Sequence, residues 1–301
     1  MEMKKILALF VIFLFIGVAV APSINLNVVK ASNDNDLVEV TTQACGIKGY
    51  RNTTVKLTRE QYQNLEQYLV EFRARLNQTS TREEAVPIFK EAVVELDKYG
   101  LLPRGMNVER VQRLVIGPYF NDKLIRYLET LPNEPKKCLD NFENKFCLIS
   151  GEAQSYTIFQ GLASRVSCNI LYIIAILFER FQENFIIPLL LISIITIFLS
   201  NKILTRPYIG AQIYYGNIYG DDSGTEYYPA EGSIWTDGTY GNKVINGPFY
   251  GRLNEKFPSL ILPFDQYCLG VKGFMGLKLF YNSTVNYFGF ALNVNVSSNP
   301  Y

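Results

Sequence analysis

The chain has 301 residues, 48% hydrophobic and 14% aromatic, with 29 basic side chains against 28 acidic ones. That is enough apolar mass for one or two ordinary cores, and near-neutral charge without a basic cluster excludes an electrostatic nucleic-acid binder, which must displace counterions from phosphates. Histidine is absent, which excludes imidazole-dependent triads and His-ligated zinc, copper or haem sites.

Lys4 and Lys5 precede the uncharged run Ile6 to Ala21, the layout of a secretory signal with a basic start and an apolar middle. Pro22 follows Ala19-x-Ala21 and suits a signal peptidase poorly, so cleavage is expected after Val29-Lys30-Ala31, making residues 1–31 a signal peptide. The alternative is an uncleaved anchor, although a helix over that run would reach only roughly 24 Å, short of a hydrocarbon core of about 30 Å. Removing residues 1–31 takes away three Lys and one Glu and leaves the chain near neutral.

Residues 37–135 read as a helical region. Thr58 and Gln61 form a capping box before a stripe of Tyr62, Leu65, Leu69, Phe72 and Leu76, spaced by threes and fours. Ser80 and Glu83 suggest a second box before Ala85, Phe89, Ala92, Leu96 and Tyr99, and Gly100 suits the left-handed helix stop. Pro87 predicts a kink or a later start. Asn107–Ile116 and Asn121–Leu131 read as shorter helices, with Pro103, Pro118 and Pro132 between the pieces. These stripes are expected to be core and not a ligand groove.

Five cysteines fit an oxidising compartment, and residues 136–169 read as a cysteine-containing linker. Cys138 and Cys147 enclose LDNFENKF, a polar loop with little apolar content to order it, so a disulfide between them is predicted. The pairing of Cys45, Cys168 and Cys268 stays open, and no C-x-x-C favours zinc.

Residues 170–204 form a hydrophobic, membrane-like helical segment, with Ile170–Phe178 and Phe185–Leu199 free of charge and joined by ERFQEN. The second run, about 22 Å long as a helix, is the transmembrane-helix candidate; a buried central helix or strand pair is the alternative. A single span would place the C-terminal region inside the cell, against the external sequons there. The expectation is therefore that both terminal regions are external and that residues 170–204 are embedded in the membrane surface or packed inside the protein.

From residue 205 to 301 the composition is that of a β domain. Residues 206–301 hold 12 of the 20 Tyr, 13 of the 21 Gly and the only Trp. Phe288, Phe290, Leu292, Val294 and Val296 alternate with Tyr287, Gly289, Ala291, Asn293 and Asn295, a strand with one buried face. Val271, Gly273, Met275, Leu277 and Leu279 alternate likewise, and Asp237-Gly238 and Asn246-Gly247 are hairpin-turn signals. The predicted fold class is α+β: an N-terminal helical region, a central hydrophobic helical segment and a C-terminal antiparallel β sandwich or barrel of about five to seven strands.

Chemistry is sparse. Gly270-x-x-Gly273-x-x-Gly276 has the wrong spacing for a dinucleotide loop and is read as sheet curvature. Asp221, Asp222 and Glu226, with Glu231, could hold calcium, but a solvated turn is the favoured reading. No cofactor and no other metal are expected, and no catalytic residue is assigned. Asn52, Asn77, Asn282 and Asn295 head four glycosylation sequons.

The stretches TREEAVPIFKEAVVELDKYGLLPRGM (Thr81–Met106), RPYIG (Arg206–Gly210) and GVKGFMG (Gly270–Gly276) resemble a group of uncharacterised exported or envelope-associated archaeal proteins. The resemblance spans most of the mature chain and implies an envelope setting without catalytic residues. The expectation is an exported protein of the cell surface or membrane, non-enzymatic, whose β region binds an envelope component such as a glycan. An exported carboxylate-dependent glycan hydrolase using Asp or Glu within 221–265 is the alternative.

Overall fold

The computed structural model describes residues 37–47, 52–117, 142–161, 210–221, 224–253, 256–258 and 265–299. It corrects the predicted class: among the described residues strands hold 56% and helices 26%, with three helices and no long apolar one. The helices are not a region apart. They lie on one face of an eleven-stranded antiparallel sheet to which the N-terminal half of the chain also contributes.

Strands β1 (Val38–Cys45) and β2 (Thr53–Leu57) precede helix α1 (Arg59–Leu76). Its capping box is formed, with Thr58 accepting from the Gln61 N–H and Gln61 from the Thr58 N–H, and all five residues of its predicted stripe are buried. Helix α2 (Arg82–Lys98) starts one residue later than expected. Thr81 caps the Glu84 N–H, and Glu84 reaches back to the Ser80 N–H. Pro87 lies within α2, close enough to its start that the lost N–H removes only an early bond. The chain leaves α2 through Gly100, whose φ of 67° is the left-handed stop. Helix α3 (Val108–Ile116) is capped by Asn107; the predicted helix 121–131 lies outside the described residues.

Strand β3 (Phe142–Ala153) runs through the residues read as a linker, and β4 (Thr157–Gly161) follows. The remainder are β5 (Ala211–Asp221), β6 (Gly224–Tyr228), β7 (Ala230–Gly238), β8 (Gly241–Gly251), β9 (Lys256–Pro258), β10 (Asp265–Tyr281) and β11 (Thr284–Ser297). The main path is β2-β1-β10-β11-β3-β7-β8, and it curls back on itself where Gly251 and Tyr250 of β8 pair with Val296 and Ser297 of β11. Asn246-Gly247 is not a turn: Gly247 pairs with Gly232 inside the β7–β8 ladder. The turn falls at Thr239-Tyr240, after the expected Asp237-Gly238.

The sheet buries both faces, unlike the one-sided strands read from alternation. One face carries Val40, Leu148, Trp235, Leu277, Leu279 and Phe288 against the helices. There Phe89 meets Phe72, Phe288 and Trp235 at ring-centre distances of 5.5, 5.9 and 6.0 Å. The other face encloses Ile149, Tyr215, Phe249, Phe274 and Tyr287.

Two strands exchange faces midway. In β11, Tyr287 and Ala291 share a cluster with Val294 and Val296; in β10, Val271 shares it with Phe274. Odd and even positions cannot face one way on an unbroken strand. The exchange occurs at Gly273 (φ 69°), with Leu292 beside it and Phe146 (φ 47°) opposite Leu292 on β3. A side chain at Gly273 would meet the Leu292 Cδ1 at 2.5 Å, so glycine is required both for conformation and for space. This bend lets one set of long strands cover the helices with one half and close on β5, β7 and β8 with the other.

Gly161 at the end of β4 pairs with Ala211 at the start of β5. The chain thus leaves and rejoins the sheet at adjacent positions around residues 162–209. A single membrane crossing between them would set hydrogen-bonded strands on opposite sides of a bilayer. The expected transmembrane helix finds no support: among the described residues no helix is long and apolar enough to cross a membrane, and the run 170–204 itself lies outside the described residues.

Candidate functional site

Two of the three exposed aromatic side chains among the described residues, Tyr156 and Tyr227, lie where β4, β5 and β6 meet. Tyr156, just before β4, has a left-handed backbone (φ 46°), a conformation costing about 1–2 kcal/mol for a residue with a Cβ. The Gly216 N–H donates to the Tyr156 carbonyl at 2.9 Å and fixes this corner to β5. The Tyr156 ring stacks on Tyr228 with centres 5.2 Å apart and planes 26° from parallel.

Strand β6 supplies the rest. It pairs with β5 from Asn217↔Tyr228 to Asp221↔Gly224, and its residues are exposed except for half-buried Tyr228. Glu226 and Tyr228, two apart, share one face, and the Tyr228 hydroxyl donates to the Glu226 carboxylate. That carboxylate is the chief cause of the raised phenol pKa of Tyr228. Tyr227 projects from the opposite face. Tyr156 and Tyr227 are 40% and 41% exposed, unusual for large aromatics. The result is a ring pair with a carboxylate at its edge and a third ring nearby, which offers flat apolar area beside a hydrogen-bond acceptor.

The cysteine expectation is overturned. Cys147 is a fully buried free thiol, Cys45 and Cys268 are also buried, and no disulfide is present among the described residues. Cys138 lies outside them. Residues Phe142 to Cys147 of the supposed loop are ordered by β3 and its pairing with β11, so no covalent link is needed. Burial pushes the Cys147 thiol up and that of Cys45 to about 11.

The sequons differ in setting. Asn52 and Asn77 are exposed, Asn77 as the residue closing α1. Asn282 is exposed in the β10–β11 turn, but its amide donates to the Tyr62 hydroxyl at 3.0 Å. Asn295 is half-buried in β11 and its Oδ1 is buried without a partner. For calcium, Asp221 ends β5, Asp222 lies outside the described residues and Glu226 is engaged by Tyr228. No group of three or more Cys, Asp or Glu side chains suited to a metal occurs among the described residues.

Nor are the carboxylates of 221–265 brought into one cleft where they are described. Glu226 is exposed on β6, whereas Asp237 is buried at the far end of β7, opposite Leu148. Sequence alone flagged the tyrosine-rich β region but not which rings surface. Alternation cannot tell exposed from buried tyrosines in a sheet covered on both faces; Tyr215 and Tyr287, for example, are buried with their hydroxyls bonded to each other.

No protein-family model matches the chain, and no curated protein or solved structure is similar to it at a significant level.

Proposed function

We propose that this is an exported cell-envelope protein that binds a surface glycan, without turning it over, through Tyr156, Tyr228 and Tyr227 with Glu226. The observation that carries this reading is the stacked pair of exposed Tyr156 and half-buried Tyr228 with a carboxylate on its rim. A sugar ring presents an apolar face of C–H groups and an equatorial belt of hydroxyls. The first packs on an aromatic ring; the second donates to a carboxylate. Tyr227, on the opposite face of the same short strand, adds a further exposed ring. The signal-like start of the chain and its sequons support the exported setting.

Binding of the full chain to a panel of immobilised neutral polysaccharides tests this, with Tyr156→Ala/Tyr227→Ala as the variant. Retention of at least one polysaccharide and a tenfold or greater weakening in the variant is expected. Equal binding by parent and variant would remove the tyrosines from the function, and shortening of the polysaccharide would favour the hydrolase.

A further inference from the structure

A second cluster of aromatic and charged groups lies at the opposite end of β7, in the two-residue turn to β8. Tyr240 in that turn is 44% exposed. The Lys145 ammonium lies 5.7 Å from its ring centre and the Lys243 ammonium 5.6 Å. Lys145 comes from β3 and Lys243 from β8, so the sheet itself brings the two cations to one ring.

The arrangement is built and not a chance meeting of surface side chains. Asn144, fully buried, donates to the Gly241 carbonyl at 2.8 Å and to the Thr236 hydroxyl at 3.0 Å. Its Oδ1 accepts from the Tyr240 N–H at 3.1 Å and the Lys145 N–H at 3.0 Å. One side chain therefore fixes both the turn that carries the ring and the strand that carries a lysine. The Lys243 ammonium donates to the Glu143 carbonyl at 2.8 Å, which fixes its position too. Gly238 packs with no room for a Cβ against Cys147 and the Lys145 carbonyl, so the hairpin cannot drift outward.

Charge makes this cluster demand a partner. Two ammonium groups converge on one ring, and the carboxylate beside them is Glu143, 3.7 Å from Lys145. The cluster keeps a net positive charge. An exposed cation–π contact returns little, while like charges held together repel. An oxyanion beside the ammonium groups relieves that repulsion, and the tyrosine next to it favours an anion carried on a ring with an apolar face.

We propose that Lys145, Tyr240 and Lys243 bind an acidic sugar, a pyranose bearing a carboxylate or a sulfate ester. The proposal extends the glycan reading to a separate site with its own residues. Strand β7 lies between this cluster and the Tyr156–Tyr228 pair, and its nine residues span about 30 Å.

The test measures affinity of the full chain for polygalacturonate, dextran sulfate, polyphosphate and neutral dextran at low and moderate salt. The variants are Lys243→Gln, Lys145→Gln/Lys243→Gln and Tyr240→Ala, each checked for an unchanged thermal transition. At least one acidic polysaccharide should bind tighter than neutral dextran and weaken with salt. Lys243→Gln and Tyr240→Ala should each weaken it about fivefold or more, and the uronate and sulfate arms identify which group is read. Tyr156→Ala/Tyr227→Ala should leave this acidic binding intact, so loss of the first site and loss of this one are told apart. Unchanged acidic binding in Lys243→Gln would overturn the proposal. So would polyphosphate binding as tightly as the sugars with no effect of Tyr240→Ala, which would reduce the cluster to a nonspecific cation patch.

Discussion

Arg82 opens α2, yet its guanidinium turns inward. It donates to the Ile116 carbonyl at 2.7 Å and the Phe146 carbonyl at 3.3 Å, and lies 5.6 Å from the Phe290 ring centre. Burial lowers its pKa, and it serves the end of α3 and the left-handed Phe146 at once. Asp237 nearby is buried with Oδ2 unpartnered, and its carboxyl pKa is raised by burial, with Arg82 partly opposing. Stability from this group is fully present below the unfolded pKa of about 4 and is lost as pH rises through the higher folded value. Asp237→Asn keeps the shape and removes the ionisation. Its melting temperature relative to the parent should therefore climb between pH 4 and pH 7; a pH-independent difference would show that Asp237 ionises in the fold without penalty. The thiols make a second expectation at this scale. Cys45 and Cys147 should escape an aqueous thiol reagent until the protein unfolds, because burial keeps them protonated. Mass mapping after brief labelling checks this, and rapid labelling of Cys147 would contradict the sealed core.

The face exchange in β10 and β11 is the element on which the architecture turns. Gly273→Val combines a left-handed backbone with a collision at Leu292, which should cost about 2–4 kcal/mol and appear as a lower denaturation midpoint. A variant as stable as the parent would mean that the strands pass straight through. The helices are joined to the same sheet by rings and by polar ties. Arg73 of α1 bonds Glu152 of β3 at 2.7 Å and the Asn286 Oδ1 of β11 at 2.6 Å. Truncating Phe89, which touches both α1 and the sheet, should cost about 3–5 kcal/mol. Chemical denaturation of Phe89→Ala should still give one transition for helices and sheet together; early loss of helical signal alone would separate them.

Across the whole molecule, the pairing of Gly161 with Ala211 sets the topology around residues 162–209. Because β3 and β4 before that stretch and β5 to β11 after it form one sheet, the two flanks must share a compartment. With a tag after Tyr301, protease added to intact cells should reach the helical region and the tag together, or neither. Cleavage of the helices with the tag protected until the membrane is opened would contradict the sheet pairing.

The amino-acid sequence by itself determined three helices and the first cap, because those depend on contacts three and four residues apart; the second cap falls at Thr81, one residue later than read. Thr58 with Gln61, the stripe from Tyr62 to Leu76 and the stop at Gly100 all stand as read. It also determined that the last third of the chain is β. Only the tertiary structure decided that β1 to β4 belong to the same sheet, since a strand is made stable by partners far away in sequence: Cys147 pairs with Ala291, and Thr42 with Leu279. The unforeseen pairing of β3 is why the predicted Cys138–Cys147 link gave way to a buried free Cys147. Alternation pointed to a single buried face from Phe288 to Val296, and the twist at Leu292 could not be read from it because a face exchange leaves the spacing of apolar residues unchanged. The same limit hid the candidate sites. Tyr156 meets Tyr228, and Lys145 meets Tyr240 and Lys243, only across strands, so their chemistry exists in the folded sheet and nowhere in the linear order.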